Sequence, residues 1–250
     1  MAPPLSAARI LSQLKSFGVN VRTHGAWTTH NRNHKGKWGP VHGVMIHHTV
    51  TSGLERSLEI VTNGYSGLPG PLCQGLIDKD GTVHLISSGR SNHAGLGDQD
   101  VLQAVISEQA ALPRPNAQEV DGNARFYGFE CINLGNGKDP WPPKQVEAVC
   151  RASAAICDAH GWSEQSVIGH LEWQTGKIDP RGLSMGTLRS RIARILDPAV
   201  LYTVRTGDTL WSIAAEKLGA GKRWTEIAAA NPEIDPEQLK PGTEIKLPRK

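Results

Sequence analysis

Apolar residues in the opening stretch MAPPLSAARILSQLKSFG recur at Ala7, Ile10, Leu11, Leu14 and Phe17. That is the spacing of one helical face, and Gly18 supplies its stop. Thr23 to Pro40 is polar and rich in Gly and His, so it reads as a loop; His30 and His34 inside it make no convincing metal pair. The segment HGVMIHHTVT, His42 to Thr51, breaks this pattern. Val44, Met45 and Ile46 form the short apolar run of a buried strand, which ends in His47 and His48. Neighbouring strand residues face opposite sides, so only one of the two imidazoles can enter a given cavity. Taken alone, the pair fits packing as well as chemistry.

Downstream, Leu54 to Asn63 has a helical pattern with Leu58 and Val61 inward, and YSGLPGP follows as a loop. Leu72–Asp78 and Thr82–Ile86 predict a hairpin turned by Lys79, Asp80 and Gly81. A loop, SGRSNHAGLGD, leads to a helix marked by Val101, Leu102, Val105 and Ile106 with Asp98 as N-cap. Pro113 to Asn123 is a surface loop, and Phe126 to Leu134 is strand-like with Glu130 in its interior. Pro142 and Pro143 start a long helix that Gly161 ends. Ser166 to His170 is a short strand, and Met185, Leu188, Ile192 and Ile195 line a closing helix. Strands alternating with helices predict an α/β fold, a mixed central β-sheet flanked by helices.

Pro198 interrupts this order, and Tyr202 opens a second unit. Tyr202–Val204 and Glu244–Leu247 read as strands around two short helices, one at Leu210, Ile213 and Ala214, the other at Trp224, Ile227 and Ala228. The second unit is thus a small βααβ domain. The expected division is 1–197, with a basic helix and loop segment at 1–41, then a linker at 198–201, then 202–250.

With 38% hydrophobic and 20% charged residues in 250, the chain reads as soluble and globular. No stretch has the length and apolarity of a membrane span, and Arg9 and Lys15 interrupt any signal-like core, so no signal peptide is expected. The net charge of +3 is uneven, since no acidic residue precedes Glu55. The early cations are scattered, which favours a solvated face over a nucleic-acid arm and leaves weak attraction to an anionic polymer open. Cys73, Cys131, Cys150 and Cys157 lack zinc-ribbon spacing and are expected as buried free thiols.

The segment IGHLEWQTGKIDPRG, Ile168 to Gly182, carries the second half of the chemistry. His170 leaves an apolar strand end, and Lys177 and Asp179 follow it. Two imidazoles and one carboxylate are the ligand set of an open catalytic zinc site. Glu130 is a candidate base for the water such a site holds. Each residue also has an ordinary reading. Asp179 before Pro180 could start a turn, Lys177 could be a solvated loop lysine, Glu130 could pair with Arg125, and His93 could make a structural hydrogen bond.

The order IHHT, DG hairpin, NHAG, GFE, and GH followed by KxD resembles the zinc N-acetylmuramoyl-L-alanine amidases, a family that includes phage lysis amidases and peptidoglycan recognition proteins. The resemblance spans His42 to Leu196. It implies zinc held by His47, His170 and Asp179, with Lys177 stabilising an oxyanion and Glu130 as base. The catalytic tyrosine of many relatives falls at Cys73 here, and the branch lacking it uses a glutamate that Glu130 matches. His93 would face the substrate, and His48 would be structural. The scissile bond named by the resemblance joins N-acetylmuramic acid to L-alanine. YxVxxGDTLxxIA and LxPGxxIxLP, with Asn231 between them, resemble a LysM module, which binds N-acetylglucosamine glycans. Its implied contacts are Gly207, Asp208, Thr209, Asn231, Pro232 and Ile234, while Trp211 and Trp224 are expected in the core.

These readings predict a monomeric, bacteriolytic zinc amidase acting on peptidoglycan, with no nucleic-acid or membrane partner. A phage endolysin held in the host cytoplasm until lysis suits them best. The rivals are a non-catalytic recognition protein and a zinc peptidase of the stem peptide.

Overall fold

The computed structural model describes residues 2–197 and 200–248, and the chain divides into two compact units between Leu196 and Asp197. In the first unit, α1 (Ala7–Ser16) is capped by the Ser6 hydroxyl, which accepts from Arg9 N, and buries Ile10 and Leu14. It leads into β1 (Asn20–Thr23), a strand the sequence pattern does not announce. β2 (Gly43–His48) is buried along its whole length. After it come α2 (Leu54–Asn63), over the residues its periodicity predicts, and a two-rung hairpin, β3 (Gly64–Tyr65) with β4 (Leu68–Pro69), where a loop was expected. β5 (Gly75–Ile77) and β6 (Thr82–Leu85) form the predicted antiparallel hairpin.

The chain continues through β7 (Leu96–Gly97) and α3 (Gln99–Ile106), whose N-terminal N–H groups are taken by the Asp98 carboxylate as expected. β8 (Val120–Asp121) pairs with β7 inside the segment expected as loop. β9 (Phe126–Cys131) then crosses the core. α4 (Pro143–His160) begins on a proline and ends at Gly161 in the left-handed conformation. Short β10 (Val167–Gly169) and α5 (His170–Trp173) precede α6 (Met185–Leu196).

Six strands form one mixed sheet in the order β1-β6-β5-β9-β2-β10, parallel except between β5 and β6. One face, carrying Val44, Ile46, Tyr127 and Phe129, packs with α1, α4 and α6. The opposite face carries Met45 and Phe126 against α3 and Trp173, and Leu76 in a cluster with Val61 of α2. All four cysteines are free and buried.

In the second unit, β11 (Val200–Thr203) pairs antiparallel with β12 (Glu244–Leu247). Between them lie α7 (Leu210–Leu218) and α8 (Trp224–Ala230). Thr209 and Ser212 cap α7 reciprocally. Tyr202, Leu210, Ile213, Ile227, Ile245 and Leu247 make its core. Pro198 and Ala199 of the expected linker lie outside the described residues, and Val200 and Leu201 already belong to β11. Among the described residues no helix is long and apolar enough to cross a membrane.

Candidate functional site

In a parallel sheet the carboxyl ends of neighbouring strands open onto one crevice. β2, β9 and β10 are adjacent and parallel, and each delivers a polar side chain there. His47 is in register with Glu130 across the β2–β9 ladder, so both side chains leave the sheet on the same face. His170 follows directly on β10 as the first residue of α5. The Glu172 carboxylate accepts from Gly169 N at 3.0 Å and is gripped by the Arg189 guanidinium at 3.0 and 2.8 Å, which fixes this turn. Trp173 anchors its far end, donating from Nε1 to Ala94 O at 3.0 Å.

Asp179 returns on the following loop, tied by Leu171 N donating to its carbonyl at 2.8 Å. His48 faces away from His47 and secures the same loop, because its Nδ1 accepts from Arg181 N at 3.0 Å. The His48 ring lies so close to Gly135 (φ 65°) that a Cβ there would collide with it.

The result is a tight three-atom cluster. His47 Nδ1 and His170 Nδ1 are 3.1 Å apart, and each lies close to Asp179 Oδ2, at 3.0 and 3.1 Å. Among the described residues this is the only grouping of three or more His, Cys, Asp or Glu able to share a metal ion. On the far side, His170 Nε2 is 3.1 Å from Gln174 Oε1 and His47 Nε2 is 3.0 Å from His93 Nδ1. Burial lowers the His47 pKa to about 4, against the nearby Asp179 carboxylate. Burial alone would raise Asp179, but its close contacts with His170 and His47 outweigh it and hold the carboxyl well below its usual range. The site thus offers two imidazole nitrogens and one carboxylate oxygen, a donor set that suits a tetrahedral divalent ion with one open position.

Glu130 lines the same cleft of about 460 Å³, and its Oε2 is buried without a hydrogen-bond partner. Burial, reinforced by the charge of Asp179, pushes its pKa well up, while Lys177 opposes. It does not pair with Arg125, which donates to Pro40 O instead. Lys177 sits at the rim, its side chain in solvent. Cys73 is fully buried in the apolar cluster with Leu72, Leu76 and Ile86, so the thiol at the family's tyrosine position is a packing residue. His93 is only 9% exposed, and both its ring nitrogens have protein partners.

Three features of the cleft are absent from the sequence reading. Val50, Tyr65 and Ile178 line the rim with 66%, 60% and 55% of their surface exposed, an apolar edge beside a polar centre. Val50 holds φ 54°, an outlier for a β-branched residue. Gln174 stands behind His170, four residues on, and its helical spacing from that histidine is the signal that could have found it.

In the second unit, the side chains expected to meet glycan are largely engaged with the module itself. Asp208 accepts from Tyr202 Oη and Arg205 N, both at 2.7 Å. The Asn231 amide bridges Ile227 O and the backbone of Lys246. Ile234 packs on the core. Thr209 is committed as well, its hydroxyl accepting from Ser212 N at 3.0 Å. Trp224 packs against the core as expected, but Trp211 does not. It is 57% exposed, because Leu210, Ile213 and Ala214 already occupy the inward stripe of α7.

The family model for N-acetylmuramoyl-L-alanine amidases matches residues 37–182, and that for the LysM domain matches residues 202–248. The chain belongs to the N-acetylmuramoyl-L-alanine amidase family. It joins that catalytic unit to a LysM domain, which makes it a peptidoglycan amidase with a wall-binding module. Among solved structures, the N-acetylmuramoyl-L-alanine amidase LysC from Clostridium intestinale URNW is similar at 13% identity, covering 70% of this chain and 96% of that one, with a TM-score of 0.48. AmpDh3 from Pseudomonas aeruginosa, in complex with an anhydromuramic pentapeptide, is 16% identical over 80% of this chain and 77% of that one, with a TM-score of 0.46. The Drosophila peptidoglycan recognition protein PGRP-SA is 16% identical over 61% and 80%, with a TM-score of 0.39. Among curated proteins none matches.

Proposed function

We propose that the amidase unit is zinc-dependent and that His47, His170 and Asp179 hold the ion. The observation that carries this reading is the convergence of two imidazole nitrogens and one carboxylate oxygen, all within 4.8 Å of one another, at the mouth of the sheet. Zn²⁺ held there supplies a Lewis acid that lowers the pKa of a water to about 7 and polarises the amide carbonyl. Glu130 takes the proton of the attacking water, a task suited to a carboxyl whose pKa burial has pushed well up. It returns that proton to the departing nitrogen of L-alanine. The Lys177 ammonium, at the cleft rim, stabilises the negative charge developing on the carbonyl oxygen. The exposed edge of Val50, Tyr65 and Ile178 offers apolar surface to the glycan or the stem.

The decisive experiment is mass spectrometry of a purified-wall digest together with metal analysis. The expected products are stem peptides with free L-alanine N-termini, formed by protein carrying one zinc and not by chelator-treated protein. Products cut within the stem would make the unit a peptidase, and binding without cleavage would make it a recognition protein.

The physiological role that fits this pairing of hydrolase and wall-binding module is host lysis by a phage endolysin. Tethering raises the local substrate concentration. Production in a bacterial cytoplasm should leave cells intact until the membrane is permeabilised, and lysis should then be rapid. Cells that stay turbid after permeabilisation would refute that role.

A further inference from the structure

Beside the metal cluster, two imidazoles form a directional chain that ends on a backbone carbonyl. His93 Nε2 lies 3.0 Å from Phe126 O. A carbonyl only accepts, so this nitrogen carries the proton and Nδ1 of the same ring is left with its lone pair. That Nδ1 is 3.0 Å from His47 Nε2, which must therefore donate. The remaining nitrogen of His47, Nδ1, is then unprotonated and faces His170 and Asp179. One peptide carbonyl thus fixes the tautomer of two rings in succession.

The mount is rigid on every side. The Asn123 carboxamide oxygen accepts from the backbone N–H of His93 and of Ala94, both at 2.8 Å. The His93 and His47 rings meet edge to face at 87°, with centroids 5.1 Å apart. Below the His93 ring lies Gly128 of β9, where a Cβ would stand 2.6 Å from Nδ1, so only glycine leaves room for the ring. With both nitrogens taken, His93 has no polar atom free for substrate.

We infer that His93 is a positioning residue that locks His47 in the tautomer and orientation of a metal ligand, in place of the substrate contact expected for it. The inference rests on reading His47 as a ligand. Partners of this kind typically contribute about 10–100-fold in metal affinity.

The test is zinc affinity by chelator competition, measured on folded full-length protein. His93→Phe keeps the ring volume and removes the acceptor, and should weaken zinc binding about 10–100-fold. His93→Asn places an amide oxygen at the position of Nδ1 and should recover most of the loss. A packing role reverses that order, with Phe tolerated and Asn not, and would overturn the inference. A substrate role would move KM and leave zinc affinity at the wild-type value in both variants, which overturns it too. Gly128→Ala provides a variant that leaves both imidazoles in the chain. Its Cβ displaces the His93 ring, so it should lower affinity as His93→Phe does, and unchanged affinity counts against the inference. His47→Ala separates the two levels of reading. If it keeps zinc, the ligand assignment itself fails; if it loses zinc while His93→Phe does not, only the role of His93 fails.

Discussion

Replacing Glu130 by Gln removes one oxygen's charge from a cleft without changing its shape. Glu130 Oε2 is buried with no partner, and the carboxyl is held protonated to unusually high pH by burial and by the charge of Asp179. Glutamine at this position loses no hydrogen bond through Oε2 and stays neutral at every pH, so it never opposes Asp179 as an ionised glutamate does. The fold and the zinc content should therefore be unchanged, with Tm equal to or slightly above wild type. General-base catalysis is worth about 10²–10⁴ in rate, or roughly 2.7–5.4 kcal/mol of barrier at about 1.36 kcal/mol per decade. The loss should fall on kcat with KM nearly constant, because the group acts on the proton in flight and not on the bound substrate. Activity of the wild type should rise with pH as Glu130 ionises, and that acid limb should vanish from the residual activity of the variant. The assay is release of free L-alanine N-termini from purified wall, with zinc measured on the same preparation. A Glu130→Gln enzyme with intact zinc and more than about a tenth of wild-type kcat would refute the reasoning.

Three further outcomes are expected. His47→Ala should lose the metal, whereas His48→Ala should retain it and lose about 1 kcal/mol of stability with the hydrogen bond from Arg181 N; metal analysis and chemical denaturation report both, and the reverse pattern would mean that the strand presents the other imidazole. Tyr65→Ala, which trims an exposed rim residue, should raise KM on wall fragments severalfold with kcat unchanged, and equal KM values would remove the rim from substrate binding. Stability should also fall on acidification from pH 6.5 towards 4, because burial lowers the His160 pKa to about 4. The folded state resists the proton that the unfolded chain accepts, so this contribution is complete above 6.5 and disappears below about 4. The shift corresponds to roughly 3 kcal/mol at about 1.36 kcal/mol per unit, and solvent at this half-buried ring reduces it to about 1–2 kcal/mol. Denaturant melts of His160→Gln should show a shallower acid slope, and an unchanged slope would exclude His160 as the source.

Much of this architecture is legible locally. α2 and the β5–β6 hairpin follow from apolar spacing and an Asp-Gly turn, and Asp98 caps α3 as its side chain suggests. β1 escapes because it is a four-residue edge strand with three residues exposed, so burial imposes no alternation on it. Which strands neighbour β2 is not a local property either, and the partnership of His47 with Glu130 exists only through the β2–β9 register. The chemistry of the cleft is readable because the histidines are few and stand in a recognisable order with Glu130, Lys177 and Asp179. Its rim is not, since Val50 and Tyr65 look like ordinary core residues in sequence and their exposure depends on what folds around them. The contact of His93 with His47 belongs to the same category, since it spans distant parts of the chain, whereas Gln174 meets His170 at helical spacing. Trp211 shows the opposite case, a misjudged residue whose place was available from the helical pattern.

The rung that pairs His47 with Glu130 has a mechanical consequence. His47 and Glu130, the proposed ligand and base, are spaced by the backbone hydrogen bonds of two interior strands. The exposed rim, proposed to meet substrate, is carried instead by the β3–β4 hairpin, by Val50 just past the strand end, and by Ile178. Exchanging residues of the β3–β4 hairpin should therefore leave the His47–Glu130 spacing unchanged, whereas Ile178 shares its loop with Lys177 and Asp179. Transplanting hairpin residues between amidases is thus a direct route to altered wall preference at constant turnover.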